Sequence, residues 1–140
     1  MVNPVPGFKV TTPYKRKGKW WKACPTIGHT GIDYAAPKGT KVVAARPGTV
    51  RWVNFGKAFG NSVLVVTSSG KTGDHYAHLS TRVPNGTKVK AGDKIGTVGA
   101  TGTGALGNHL HFERLNLRNG IGWSCAKIQN PAKSIAYRKK

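Results

Sequence analysis

The chain has 140 residues, 19 Gly and 8 Pro, with an apolar fraction of 38%, enough for one domain with its own core and better suited to short strands and turns than to a helical bundle. Its 23 Lys and Arg against 4 Asp and Glu leave a formal net charge of +19, a field that concentrates a protein on polyanions. No stretch approaches the ~20 apolar residues of a membrane span, and Met1–Gly7 lacks the basic-then-apolar pattern of a signal peptide; the expectation is a soluble protein made in the cytoplasm without an export signal of its own.

Residues 1–28 read as an irregular basic lead-in broken by Pro4, Pro6 and Pro13. Within it Trp20 and Trp21 sit among lysines, either as a ligand-binding rim or as one packed and one half-exposed ring. From residue 33 the pattern turns sheet-like: strands over 41–45 and 49–53 flank the Arg46-Pro47-Gly48 turn, 54–61 is a loop, and the apolar run 63–66 suits a strand buried on both faces. A hairpin loop over 68–73 leads to a strand over 75–79, on which alternation would put Tyr76 and His78 on one face. His75 either lines a cleft or, the plainer expectation, is a loop histidine. Asn85-Gly86 is a turn, 94–98 a further strand, and 99–107 a loop whose four glycines let bare backbone approach a substrate. A strand over 110–115 follows, then the Asn130-Pro131 stop and a basic tail. The expected organisation is a single domain: lead-in 1–28, core 29–131, tail 132–140.

Chemistry concentrates in two stretches. In a strand His109 and His111 project from the same face, and His29 and Asp33 lie four residues apart between glycines that suit a loop or strand entry. Imidazole and carboxylate are natural ligands of a metal such as zinc. Should the stretches meet, they supply three or four ligand-capable groups. Glu113, on the His111 side by parity, either orients a ligand histidine from behind or forms an ion pair with one of the many Lys and Arg, the plainer expectation. Cys24 and Cys125 either pair or stay free; they are too few to define a framework and lack zinc-site spacing.

In order, the chain offers His-x-x-x-Asp (29, 33), Tyr-Ala-His-Leu-Ser (76–80), a Gly-rich loop and His-Leu-His-Phe-Glu (109–113). With Gly28-His-Thr-Gly-Ile-Asp33, Ala36-Pro-x-Gly39-Thr, Val89-x-x-Gly92-Asp-x-Ile-Gly96 and Gly99-x-Thr-Gly102, this resembles the lysostaphin/LytM-type zinc endopeptidases that cut peptidoglycan peptides, from about Thr12 to Pro131. Two departures are Asn108, where the family usually carries Pro, and Thr12-Pro-Tyr-Lys-Arg16, which only loosely echoes the family's motif.

The resemblance implies a mainly β, antiparallel fold with an active-site cleft across one sheet. It makes His29, Asp33 and His111 the Zn²⁺ ligands, leaving a fourth position open, and His78 and His109 the catalytic histidines that are not ligands. The implied partner is bacterial peptidoglycan, with anionic wall polymers attracting the +19 surface, and the implied state a monomer. A phage endolysin released by a holin, or a virion-borne lysin, fits the expected lack of a signal peptide, with a secreted bacteriolysin as the rival. A non-catalytic wall-binding or virion-tail protein on the same scaffold keeps the motifs without the chemistry. A basic nucleic-acid-binding protein is disfavoured by the absence of a recognition-helix or RNP-like pattern.

Overall fold

The computed structural model describes residues 1–19 and 21–131; Trp20 and the expected basic tail 132–140 lie outside them. Ten strands follow in order: β1 Ile32–Ala35, β2 Lys41–Val43, β3 Gly48–Val53, β4 Ser62–Val66, β5 Thr72–Ala77, β6 Leu79–Arg82, β7 Lys88–Val89, β8 Lys94–Val98, β9 His109–Asn116 and β10 Ile128–Gln129, the last preceded by a 3₁₀ turn, Cys125–Lys127. Among the described residues they form two antiparallel sheets. One runs β1-β9-β5-β4-β3-β7 with β10 paired to the far end of β9, and the other is β2-β8-β6. The mainly β, antiparallel fold expected from the sequence is what the chain adopts.

The alternation of β9 explains how one strand serves two purposes. Leu110 and Phe112 point into the main core, where Ile32, Tyr34, Val63, Val65 and Tyr76 meet Val42, Ile95 and Val98 from the smaller sheet. Complete burial of a ring such as that of Phe112 contributes about 2–3 kcal/mol. Odd-numbered residues of β9 face the other way. There Leu115, with Leu64 and Leu117, forms a second apolar cluster, while His109, His111 and Glu113 occupy the rest of that face. The run 63–66 is buried on both sides as expected, Val63 and Val65 in one cluster and Leu64 in the other.

One predicted strand is broken. The stretch 75–79 is not continuous: β5 ends at Ala77, His78 takes a left-handed backbone conformation with φ of 63°, and β6 begins at Leu79. The strand parity of Tyr76 and His78 is therefore lost. Tyr76 is wholly buried in the main core, accepting a hydrogen bond from the Ala45 N–H at 2.8 Å, while His78 turns out towards the open face. His75 is not a loop residue either; it lies on β5, wholly buried and opposite Glu113. Two of the four acids are also accounted for in the fold. Asp74 is buried and accepts from Arg46 and Arg114, and Asp93 caps the turn at Lys90.

The two cysteines are bonded to each other. Cys24 in the lead-in and Cys125 in the 3₁₀ turn form a disulfide spanning 101 residues of sequence, tying the segment that carries Trp21 to the one that carries Trp123. Neither segment has a long strand to hold it, so the cross-link does that work. In the chain-entropy view a loop of this length is stabilised by about 4–5 kcal/mol. Reduction, or Cys24→Ser with Cys125→Ser, is expected to lower the melting temperature by on the order of 10 °C; thermal unfolding with and without reductant checks this, and an unchanged midpoint would refute it.

Candidate metal centre

The pairing of β1 with β9 sets Asp33 opposite His111 and Ala35 opposite His109. His29 reaches the same spot from the loop before β1, through two close approaches that only glycine allows. A Cβ at Gly28 would lie 2.6 Å from the Arg16 carbonyl oxygen, and one at Gly31 only 2.3 Å from that of Phe112. The lead-in completes the cradle: the His29 N–H donates to the Arg16 carbonyl at 2.9 Å, and the Asp33 N–H to that of Thr12 at 2.9 Å.

Three atoms converge as a result. Asp33 Oδ1 lies 2.9 Å from His111 Nδ1 and 3.2 Å from His29 Nε2, and the two nitrogens are 3.3 Å apart. The remaining ring nitrogens are engaged elsewhere. His29 Nδ1 donates to the Pro13 carbonyl at 3.0 Å, and His111 Nε2 to Glu113 Oε2 at 2.8 Å. Two imidazole nitrogens and a carboxylate oxygen thus point at one place, an arrangement that repels itself unless positive charge, a shared proton or a metal ion, sits between them. The acid–base behaviour of the residues agrees. Burial alone would push His111 down, but the Glu113 charge and hydrogen bonds to Asp33 and Glu113 outweigh it and raise it to about 10. Burial would raise Asp33, yet its hydrogen bonds from His111 and His29 hold it well below the usual carboxylate range. The donor set and its electrostatics fit a metal cation.

His78 and His109 stand beside this cluster with their ring centroids 4.6 Å apart. Each has one nitrogen fixed by the backbone. His78 Nδ1 donates to the Thr101 carbonyl at 2.8 Å, and His109 Nδ1 to that of Gly107 at 3.0 Å. Both Nε2 atoms are then acceptors. Burial, with the nearby His111 charge, pushes His78 down to about 4, so it is neutral near pH 7. His109 Nε2 lies 3.7 Å from Asp33 Oδ1. All five residues singled out in the sequence are brought together.

They line a cleft of about 560 Å³, walled by Trp21, Phe59, Leu106 and Trp123. Of the paired tryptophans, Trp21 belongs to this wall, its ring 5.7 Å from that of His29. Of the four glycines of 99–107, Gly104 and Gly107 line the cleft, and Gly102 and Gly104 permit close packing inside the protein. A Cβ at Gly102 would lie 2.4 Å from the Gly60 nitrogen, and one at Gly104 2.8 Å from the Ala58 carbonyl. The loop therefore packs backbone to backbone on 56–61, holding both Thr101, the acceptor for His78, and Phe59 in place.

Glu113 does not pair with a Lys or Arg, the plainer expectation. It is wholly buried and accepts from His111, His75, Thr30 and Trp123. Sequence reasoning did not single out Thr30, Phe59 and Trp123, nor the carbonyls of Pro13 and Thr101. For Thr30 and Glu113 a signal existed, since both fall inside the quoted motifs; the carbonyls carry no side-chain signature at all.

Comparison with known proteins agrees with this geometry. A family model described as Peptidase family M23 matches residues 27–122. The chain is 39% identical over 114 residues to the peptidoglycan DD-endopeptidase ShyC of Vibrio cholerae, an alignment covering 80% of this chain and 25% of that protein. The chain spans about a fifth to a quarter of the length of such curated relatives. Among solved structures, the catalytic domain of the antimicrobial peptidase lysostaphin from Staphylococcus simulans superimposes with a TM-score of 0.76 at 27% identity, covering 97% of this chain and 96% of that one. A zinc-containing peptidase from Vibrio cholerae gives 0.67 at 34% identity, over 84% and 36%. Fold, motif order and a family match over most of its length together show that the chain belongs to Peptidase family M23.

Proposed function

We propose that the chain is a zinc-dependent endopeptidase that hydrolyses an amide in the stem peptides or cross-bridges of bacterial peptidoglycan, with His29, Asp33 and His111 holding the ion and His78 and His109 acting on the substrate. The observation that carries this is the meeting of the three donors beside two histidines whose free nitrogens face the same cleft. Membership of the family, the zinc-containing relative and the DD-endopeptidase ShyC support it. A wall-lysing role, of the kind a phage lysin performs, belongs to the same reading.

Zinc bound there supplies a Lewis acid that polarises the scissile carbonyl and brings the pKa of water towards ~7. The rest is done by the chain's own groups. His109 and His78 both present acceptor nitrogens to the cleft, so either can take a hydrogen bond from the attacking water. The two differ in position. His109 Nε2 lies 3.7 Å from Asp33 Oδ1, at the edge of the donor cluster, which suits it to take the proton from the water and return it to the leaving amine. Burial disfavours charge on His78, which suits it to orient the water while staying neutral. Trp21, Phe59 and Trp123 offer flat apolar walls for the substrate chain.

Two outcomes are expected. Mass spectrometry of purified peptidoglycans of several cross-link types, glycine bridges and D-Ala cross-links included, should reveal new peptide amines that disappear with a chelator. His109→Ala should retain zinc and lose about 10²–10⁴-fold in rate, whereas His29→Ala, Asp33→Ala or His111→Ala should lose the ion itself. No cleavage of any wall type by zinc-loaded protein would overturn the enzyme reading in favour of a non-catalytic wall-binding scaffold. Separately, the +19 charge should hold the protein on anionic wall polymers, so lysis of intact cells should fall steeply between low salt and ~0.5 M. A flat salt profile would exclude that adhesion.

A further inference from the structure

The face of β9 carries one buried charge that the proposed reaction does not use. Glu113 sits behind His111, fully removed from solvent, and both its oxygens are doubly occupied. Oε2 accepts from His111 Nε2 at 2.8 Å and from the Thr30 hydroxyl; Oε1 accepts from His75 Nδ1 at 2.8 Å and Trp123 Nε1 at 2.9 Å. Trp123 can only donate. His75 is itself buried, its ring edge-on to Phe55 and Phe59, and its Nε2 has no hydrogen-bond partner among the described residues. That nitrogen is left without a partner while Nδ1 is committed to Glu113. The whole assembly is arranged to present acceptor oxygens, and no donor, to His111.

We propose that Glu113 is a positioning residue: held by His75, Trp123 and Thr30, it keeps the ring proton of His111 on Nε2, so that Nδ1 faces Asp33 and His29 as a bare donor. This rests on the metal-site reading above and adds to it the device that selects the histidine's tautomer. A ligand histidine whose far nitrogen is fixed by a carboxylate is both oriented and made a better donor, and loss of such a partner costs about 10–100-fold in metal affinity.

The geometry makes a specific demand on the near-isosteric variant Glu113→Gln. Its amide has one acceptor and one donor end. Against the donor-only Trp123 the NH₂ end is excluded, so it must turn to the Thr30 and His111 side. There the Thr30 hydroxyl can turn to accept one amide hydrogen, but His111 Nε2–H would face the other unless Nε2 becomes an acceptor, which moves the ring proton to Nδ1 and into the metal site. Adding Trp123→Phe removes the opposing donor. The amide can then reverse, its NH₂ meeting His75 with that ring's proton shifted to Nε2, and its oxygen again accepting from His111.

The test is zinc affinity measured by chelator competition on the full chain, without recourse to activity. Glu113→Gln should bind zinc about 10–100-fold more weakly than the wild type, and Glu113→Gln with Trp123→Phe should recover most of that loss, although it carries one more substitution. Affinity of Glu113→Gln within a few-fold of the wild type would overturn the proposal, as would a double variant no better than the single one, which would reduce Glu113 to a packing role. Long-range proton–nitrogen correlations on the zinc-loaded wild type need no variant to fold. A proton on His111 Nε2 is expected, and a proton on Nδ1 would overturn the assignment. Failure of the underlying reading looks different: the wild type itself would not bind zinc.

Discussion

The antiparallel pairing of β9 with β1 on one side and β5 on the other is the constraint on which the remainder of the molecule depends. It joins residues 78 and 38 positions apart into one register, Asp33 across from His111 and His75 across from Glu113. Because side chains alternate along a strand, the same register sends Leu110 and Phe112 into the core. A slip of one residue would bury the histidines and expose the apolar residues, so the core that stabilises the sheet also enforces the geometry of the site. The fixed point for chemistry is thus placed on rigid backbone and not on a loop.

Around that fixed point the protein settles a second problem, that of tautomers. Neutral imidazole carries its proton on either nitrogen, and a site built from four histidines has many wrong arrangements. Here each is given a partner that removes the choice: the carbonyls of Pro13, Thr101 and Gly107 for His29, His78 and His109, and the Glu113 carboxylate for His111. Three of these partners are backbone groups supplied by irregular segments. The loops are therefore packed to close tolerance where they supply a carbonyl, as where Gly102 meets Gly60.

The walls of the cleft come from segments with little regular structure. Trp21 belongs to the lead-in and Trp123 to the stretch before β10, and the Cys24–Cys125 bond joins the two. Trp123 also donates to Glu113, so the same residue lines the cleft and holds the carboxylate behind His111. The shape of the cleft and the hydrogen bonding beneath its floor thus share a side chain.

Much of this was written in the sequence. The turn residues and apolar alternation announced short strands, the ordered His-x-x-x-Asp, Tyr-Ala-His and His-Leu-His-Phe-Glu motifs announced five residues that the fold brings together, and parity alone put His109, His111 and Glu113 on one face. What failed were the inferences that depend on surroundings. His75 read as a loop residue because its burial comes from Phe55 and Phe59, which no local pattern links to it. His78 left the strand face because its backbone turns left-handed between β5 and β6, with its N–H given to the Phe59 carbonyl. Glu113 was read more readily as an ion-pair partner because Lys and Arg outnumber every other partner in the composition, yet burial selects by position and not by abundance. The sequence by itself determined the kind of fold and which side chains can offer metal donors, since residue type and spacing along a strand are local properties. Only the tertiary structure decided the partners: which carbonyl holds which ring, whether the two cysteines meet, and where the buried carboxylate points, because those contacts join segments that no spacing along the chain relates.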